Sequence, residues 1–211
     1  MKAYRATRKE KRRCCQFSLA SLLLLVVLVS CVLSWFASRI TDARQQRHAV
    51  AQVADLGGFV WYDYQCNDYG VPDFALRAPE PFWAREILDE DFFHSAVGVS
   101  FAGLRFTADA GSIAYERITV RDTDLVCLRD LRKLQELDLR GNEITDTGLA
   151  HIAHLAGLKR LLLADTEITD AGLEHLERLT SLSYLDLQRT EVTNHGVMQL
   201  QQCLPETHIL H

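Results

Sequence analysis

Hydrophobic positions recur with a fixed period between residues 134 and 205. Three rows of 24 residues begin at Leu134, Leu158 and Leu182, and each row opens with leucines spaced L-x-x-L-x-L. Leucines that alternate with other residues predict a short strand with one buried side, and apolar residues at i, i+3 and i+6 later in the row predict a helix of about two to three turns. A strand-plus-helix unit repeated every 24 residues predicts an α/β solenoid, with parallel strands on one side and helices on the other.

Polar positions recur in the same rows. A threonine precedes each predicted helix, where its hydroxyl group is suited to cap the first turn. A glycine recurs in that first turn, although glycine is unfavourable in a helix, so we expect close contact between neighbouring repeats. The threonines are Thr145, Thr169 and Thr193, and the glycines are Gly148, Gly172 and Gly196. Asn142, Thr166 and Thr190 share another column and are suited to bond the loop backbone.

The segments Glu-Ile-Thr-Asp-Thr-Gly-Leu at 143–149 and Glu-Ile-Thr-Asp-Ala-Gly-Leu at 167–173 resemble leucine-rich repeats whose second half reads I-T-D-x-G-L. The resemblance implies a short leucine-rich repeat solenoid. A half repeat precedes the rows, since Val120, Leu125 and Leu128 stand 24 residues before apolar positions of the first row. Residues 207–210 are expected to add an edge strand, and Cys203 aligns with leucines and is expected to be buried.

The N-terminus has a different composition. Seven of the first 13 residues are basic and one is acidic, and no charged residue occurs from position 14 to 38. Residues 17–36, which begin with Phe17 and end with Phe36, would span roughly 30 Å as a helix, the hydrocarbon thickness of a bilayer. Basic flanks remain in the cytoplasm, so we expect a single-pass cell-membrane anchor with a cytoplasmic N-terminus and the C-terminal domain in the periplasm or at the cell surface.

Two alternatives to an uncleaved anchor remain open: a signal peptide cleaved near Val32–Ser34, and a lipoprotein signal with Cys31 as the lipidated residue. The opening Gln-Phe-Ser-Leu-Ala-Ser-Leu-Leu-Leu-Leu at 16–25 resembles the F-S-L-R-T-L-L start of bacterial membrane-anchored leucine-rich repeat proteins, with Ala20 and Ser21 in place of Arg and Thr. The resemblance implies a protein of the bacterial cell envelope and names no activity.

These patterns predict five segments. They are a basic cytoplasmic tail (1–16), a transmembrane helix (17–37), a stalk helix (38–56), an α+β N-terminal capping region (57–112) and the leucine-rich repeat domain (113–211). Alternatively, the stalk helix forms a short coiled coil with the stalk of a second copy of the chain. In the capping region, residues 59–64 and 96–101 are expected to form strands, 65–81 a loop and 82–93 a helix. Its aromatic residues are expected to cover the first repeat, and a ligand pocket built from Trp61, Tyr62, Tyr64 and Trp83 is the alternative.

Charge and motif content exclude several functions. The first 13 residues hold seven of the 23 basic and one of the 28 acidic residues, which leaves the rest with a formal charge of −11. Such a surface is poorly suited to nucleic acid. No catalytic or phosphate-binding motif occurs, so we expect no enzyme activity and no cofactor. Two further alternatives are a metal site at His151, His154 and His175 and a Cys66–Cys127 disulfide. No carboxylate or cysteine stands at ligand spacing from these histidines, and no C-x-x-C motif occurs in the chain.

The strand residues between the leucines are the candidate binding site, because they point away from the core. The candidate residues are Glu136, Asp138, Arg140, Arg160, Leu162, Tyr184, Asp186 and Gln188. Glu136 and Arg160 are expected to pair across neighbouring strands, and Leu162 is expected to be exposed beside Tyr184. These features favour a non-catalytic module that binds a protein or peptide at the cell envelope. The alternatives are a structural envelope protein with no ligand and an adaptor that recruits substrates.

Overall fold

The computed structural model describes residues 19–66, 90–109, 112–117 and 119–211. The chain divides into two compact units, Met1–Arg39 and Ile40–His211. The described helices are α1 (Leu19–Asp55), α2 (Glu90–Phe93), α3 (Asp146–Ile152), α4 (Asp170–Leu173) and α5 (Asn194–Cys203). The described strands are β1 (Phe59–Tyr62), β2 (Ala96–Ser100), β3 (Leu104–Asp109), β4 (Ser112–Arg117), β5 (Glu136–Asp138), β6 (Arg160–Leu162), β7 (Tyr184–Asp186) and β8 (His208–Leu210). Short 3-10 segments occupy Asp63–Gln65 and Asp122–Asp130.

In the first unit, the described residues belong to α1. Their leucine and valine side chains are exposed from Leu19 to Leu33, as are most of their neighbours. Helix α1 is long and apolar enough to cross a membrane. A signal sequence near an N-terminus meets the same criteria of length and composition. The basic tail and Phe17 lie outside the described residues.

The second unit is built around a six-stranded sheet with the order β1-β2-β5-β6-β7-β8. β1 pairs with β2 antiparallel, and every other neighbouring pair from β2 to β8 is parallel. Leu137, Leu161 and Leu185 are opposite one another in the register and are fully buried. Each such leucine stabilises the fold by roughly 1.5–3 kcal/mol through its removal from water. The predicted side-by-side stacking of the three rows is confirmed.

Aspartates join each repeat to the next. Asp146 accepts hydrogen bonds from the backbone N–H of Thr169 (2.9 Å) and from its hydroxyl group (2.7 Å), and Asp170 binds Thr193 in the same way. The threonine hydroxyl in turn accepts a bond from the first turn of its helix, which confirms the predicted caps. A side chain at Gly172 would put its Cβ 2.3 Å from Asp146 Oδ1, so the recurring glycine leaves room for this carboxylate.

The first aspartate of this series is Asp122, which bonds Thr145 through its backbone N–H and hydroxyl and also bonds the Thr147 hydroxyl. Burial acts to raise the pKa of Asp122, but these hydrogen bonds to Thr145 and Thr147 outweigh it and lower the pKa. The pKa of Asp170 is likewise lowered, chiefly by the hydrogen bond from the Thr193 hydroxyl. The bonds are therefore made to the ionised carboxylates.

The column of Asn142, Thr166 and Thr190 bonds the loop backbone, as predicted. The Thr166 hydroxyl donates to the Leu163 carbonyl (2.6 Å), and the Thr190 hydroxyl to the Leu187 carbonyl (2.7 Å). Asn142 does more, because its Oδ1 accepts from the Val120 N–H (2.8 Å) and its Nδ2 lies within bonding distance of three carbonyls. One buried amide thus ties the end of β2, the start of the half repeat and the first full repeat together.

The last turns of α1 belong to the second unit and lie against its core. Ala49 and Val53 are buried there and are therefore not available for the alternative coiled coil. The Gln46 side chain fixes this contact, since its Nε2 donates to Asp91 Oδ1 (2.8 Å) and its Oε1 accepts from the Ala96 N–H (3.1 Å).

Strands β1 and β2 lie beside β5 and cover the N-terminal end of the repeat sheet. Of the predicted loop and helix in this region, residues 67–89 lie outside the described part of the chain. The division of the chain into five segments stays a prediction.

Two expectations about the repeats were wrong. Helix α4 has only four residues, because the chain continues from Leu173 in tighter turns whose N–H groups bond the carbonyl three residues back. Cys203 is exposed instead of buried, since α5 extends to that residue and Leu204 takes the inward position. The half repeat and the edge strand were predicted correctly: Val120, Leu125 and Leu128 are fully buried, and β8 pairs with β7.

Candidate functional site

The register of the sheet collects the predicted site residues in rows on one side, here called the strand face. In the first row Glu136, Arg160 and Tyr184 are opposite one another, and in the second row Asp138, Leu162 and Asp186. His208 extends the first row beyond Tyr184. Arg140 and Gln188 follow two residues after Asp138 and Asp186, at the same edge of the face. All eight predicted residues therefore belong to one surface.

The first row carries a cation next to a tyrosine ring, which in turn neighbours a histidine ring. The Arg160 guanidinium carbon lies 5.5 Å from the centre of the Tyr184 ring, a cation–π distance. Its Nη1 is 3.7 Å from Glu136 Oε1, so the predicted ion pair is present but long. On its other side, the Tyr184 ring lies 5.8 Å from the His208 ring.

The second row places a carboxylate behind a second arginine. Arg140 donates from Nε to Asp138 Oδ1 (2.9 Å) and from Nη2 to Asp138 Oδ2 (2.7 Å), the two-pronged geometry that fixes a guanidinium. These bonds raise the pKa of Arg140 above its ordinary value. Asp186 has no arginine two residues later, and its Oδ1 accepts from the Gln188 N–H (3.1 Å).

The expected exposure of Leu162 was wrong. Its exposed fraction is 8%, because Asp138 and Asp186 lie directly beside it on the neighbouring strands, about 4.8 Å away on either side. Ala164 is also buried. Leu162 is therefore a recessed apolar floor between two aspartates, and the prominent side chains of the face are the neighbouring arginines and Tyr184.

Charges on this face are layered by depth. The side chains of Arg160 and Arg140 are 44% and 48% exposed, whereas those of Glu136 and Asp138 are 16% and 9% exposed. Burial raises the pKa of Glu136, with the Asp138 charge adding to this and Arg160 opposing it. A molecule approaching the strand face would therefore meet guanidinium groups before it meets carboxylates.

Gly98 is a feature of the first row that the sequence analysis missed. It stands opposite both Glu136 of β5 and Trp61 of β1, and a Cβ on Gly98 would lie 1.8 Å from Trp61 Cε2. The Trp61 ring thus occupies the space of the absent side chain. The signal was available, since a glycine inside a strand often marks such a close approach.

Within the described residues, the aromatic side chains of the alternative pocket pack against the protein itself. Trp61 is buried over Gly98, and Tyr62 packs against the core and donates its hydroxyl to Asp91 (3.1 Å). Tyr64 stacks on Tyr62, and its ring meets the edge of His94 at 4.5 Å. Trp83 lies outside the described residues.

The residues of the alternative disulfide and metal sites lie within the described part of the chain. Cys66 and Cys127 are both free thiols, so the alternative disulfide is not formed. Burial raises the pKa of Cys127 to about 11. Within the described ranges, His151, His154 and His175 are not part of any group of three or more metal-binding side chains.

The part of the chain that carries the strand face matches a known protein family. The sequence model of the family described as leucine rich repeat matches residues 124–192, which include the three strands that carry the strand face. The chain contains a leucine-rich repeat region. The match begins in the half repeat and ends in the third row, so this region includes both recurring I-T-D-x-G-L segments.

Solved leucine-rich repeat structures show partial likeness. An internalin from Listeria monocytogenes is 24% identical with a TM-score of 0.35, over 40% of this chain and 23% of its own. A leucine-rich repeat protein from Leptospira interrogans is 24% identical with a TM-score of 0.32, over 41% of this chain and 27% of its own. The chain thus spans about a quarter of the length of these proteins. No curated protein matches it.

Proposed function

We propose that this chain is a membrane-anchored interaction module of the cell envelope, with no catalytic activity, and that its strand face binds a protein or peptide. The observation that supports this most is the group formed by Arg160, Tyr184 and His208. Arginine and tyrosine are enriched among the residues that dominate protein interfaces, since each combines apolar area with directed hydrogen bonds. The fold displays them together on a rigid sheet.

The anchor is part of the same proposal. Helix α1 supplies a stretch long and apolar enough to cross a bilayer, and the basic residues before it would keep the N-terminus in the cytoplasm. The region after the anchor would then lie in the periplasm or at the cell surface. A structural envelope protein whose strand face is inert is the competing function.

We expect Tyr184→Ser to reduce binding of the partner by about tenfold or more, because a half-buried tyrosine at the centre of an interface is a typical hot spot. The measurement is quantitative cross-linking capture from cells that express the full chain. Glu174→Ser is the matched control, since Glu174 is exposed and lies just after α4 on the helix side. If both variants capture the same partners at the same level, the strand face is inert and the structural alternative is favoured.

Topology can be tested through Cys203, whose side chain is exposed. A variant that keeps Cys203 and replaces the other five cysteines by serine is expected to react with a membrane-impermeant maleimide in intact spheroplasts. A matched variant that keeps only Cys14, before the apolar stretch, is expected to react only after the membrane is opened. The reverse pattern would place the repeat region in the cytoplasm.

A further inference from the structure

The Arg160 side chain retains most of its hydrogen-bonding capacity. Its contact with Glu136 is 3.7 Å long, and within the described residues no hydrogen bond involves its guanidinium group. The guanidinium carbon lies over the Tyr184 ring, and the Arg160 side chain is 44% exposed, so a ligand can reach its N–H groups. A guanidinium with its edge accessible is shaped for two parallel bonds to a carboxylate.

Neighbouring groups add donors at the same place. Among the described residues, no hydrogen bond ends on the Tyr184 hydroxyl or on the ring nitrogens of His208, whose side chain is exposed. Both can donate to an oxygen ligand. The carboxylates of the face are recessed, Glu136, Asp138 and Asp186 alike. Asp138 is engaged by Arg140, and Glu136, which lies 3.7 Å from Arg160 Nη1, is the internal competitor for that guanidinium group.

Arg140 is not a second open cation. Its Nε and Nη2 are held by Asp138, which draws the guanidinium group back towards the second row. Among the arginines of the strand face, Arg160 is therefore the one whose two-pronged edge is not used by a carboxylate of the described residues. An extended peptide with one carboxylate on Arg160 would set its alternate side chains against the sheet.

We propose that the strand face selects an acidic, extended protein segment, with one of its carboxylates on Arg160 beside Tyr184 and His208. This inference rests on the proposed function and names the chemistry of its partner. Leu162 and Ala164, both buried, follow Arg160 at two-residue steps as a low apolar floor and would accept a small side chain two residues from the acidic one. This floor favours a protein segment over a free phosphate, which would leave it unused.

The test uses the full chain in neutral detergent micelles and a blocked peptide, acetyl-Ser-Glu-Ser-Ala-Ser-Glu-Ser-amide, followed by NMR titration at low ionic strength. We expect saturable binding, and at least about tenfold weaker binding of the matched peptide with glutamine in place of both glutamates. Arg160→Gln is expected to weaken binding by about tenfold, and Arg160→Lys by less, because lysine keeps the charge but not the two-pronged geometry.

Glu136→Gln separates this inference from a loss of structure. It removes the negative charge that competes with the peptide carboxylate for Arg160, so peptide binding is expected to become about threefold stronger or more. Equal binding of the glutamate and glutamine peptides would overturn the inference, as would a Glu136→Gln variant weakened as much as Arg160→Gln. Inorganic phosphate or anionic vesicles that compete as well as the peptide would also overturn it.

Failure of this inference can be told apart from failure of the proposed function. If Tyr184→Ser abolishes partner capture while Arg160→Gln leaves both capture and peptide binding unchanged, the strand face binds a partner of other chemistry. If neither variant changes capture, the strand face is not an interface.

Discussion

Replacing Asn142 by alanine is expected to lower the free energy of unfolding by about 3 kcal/mol. Asn142 is 4% exposed, and its loss leaves the Val120 N–H and the carbonyls of Phe101, Leu139 and Arg140 without this partner. An unsatisfied buried polar group costs about 1–3 kcal/mol. Thermal unfolding of the full chain in detergent, followed by circular dichroism, measures the effect.

The matched variant for Asn142 is Thr166→Val, in the same column of the next repeat. Thr166 is similarly buried, but among the described residues its side chain makes a single hydrogen bond, to the Leu163 carbonyl, so we expect a loss of about 1 kcal/mol. Equal losses in the two variants would show that Asn142 has no special role in joining the capping strands to the repeats.

Gly172→Ala is expected to destabilise the fold by about 2 kcal/mol, through overpacking. The added Cβ would lie 2.3 Å from Asp146 Oδ1 and 3.0 Å from Leu149 Cδ1. Asp146 cannot move aside freely, because it holds the N–H and hydroxyl of Thr169. The same unfolding measurement gives the magnitude.

Gly157→Ala is the control, since its added Cβ would come no closer than 3.6 Å to any atom and the stability should stay within about 0.5 kcal/mol of the original. The cause is tested by Asp146→Ala, which should cost less in the Gly172→Ala background than alone, since it removes the clashing oxygen. Strictly additive effects would contradict the role assigned to Asp146.

Periodicity in the sequence predicted much of this fold. The leucines at 24-residue spacing determine which side of each strand is buried, so the register and the membership of the strand face followed from the pattern. The threonine caps and the loop-bonding column were likewise local features, since each involves neighbours a few residues apart. The half repeat was found because Val120, Leu125 and Leu128 keep the same spacing.

What could not be predicted depends on neighbours in space. The recurring glycine indicated close contact, but the group that it contacts is an aspartate of the preceding repeat. This aspartate stands 23 residues before the threonine to which it is hydrogen-bonded. Leu162 looked exposed by alternation alone, and the two flanking aspartates bury it. Cys203 looked buried by alignment, and a longer last helix moved that position to Leu204. The layering of arginines above carboxylates also arises only when the strands are side by side.

The most direct test of the account is site-specific photo-cross-linking from the strand face in living cells. A photoreactive amino acid at Gln188, exposed at the edge of that face, is compared with one at Glu174, exposed on the helix side. The account predicts a discrete cross-linked partner from position 188 that disappears with Tyr184→Ser, and none from position 174. The same partner from both positions, or from position 174 alone, would contradict a binding site on the strands.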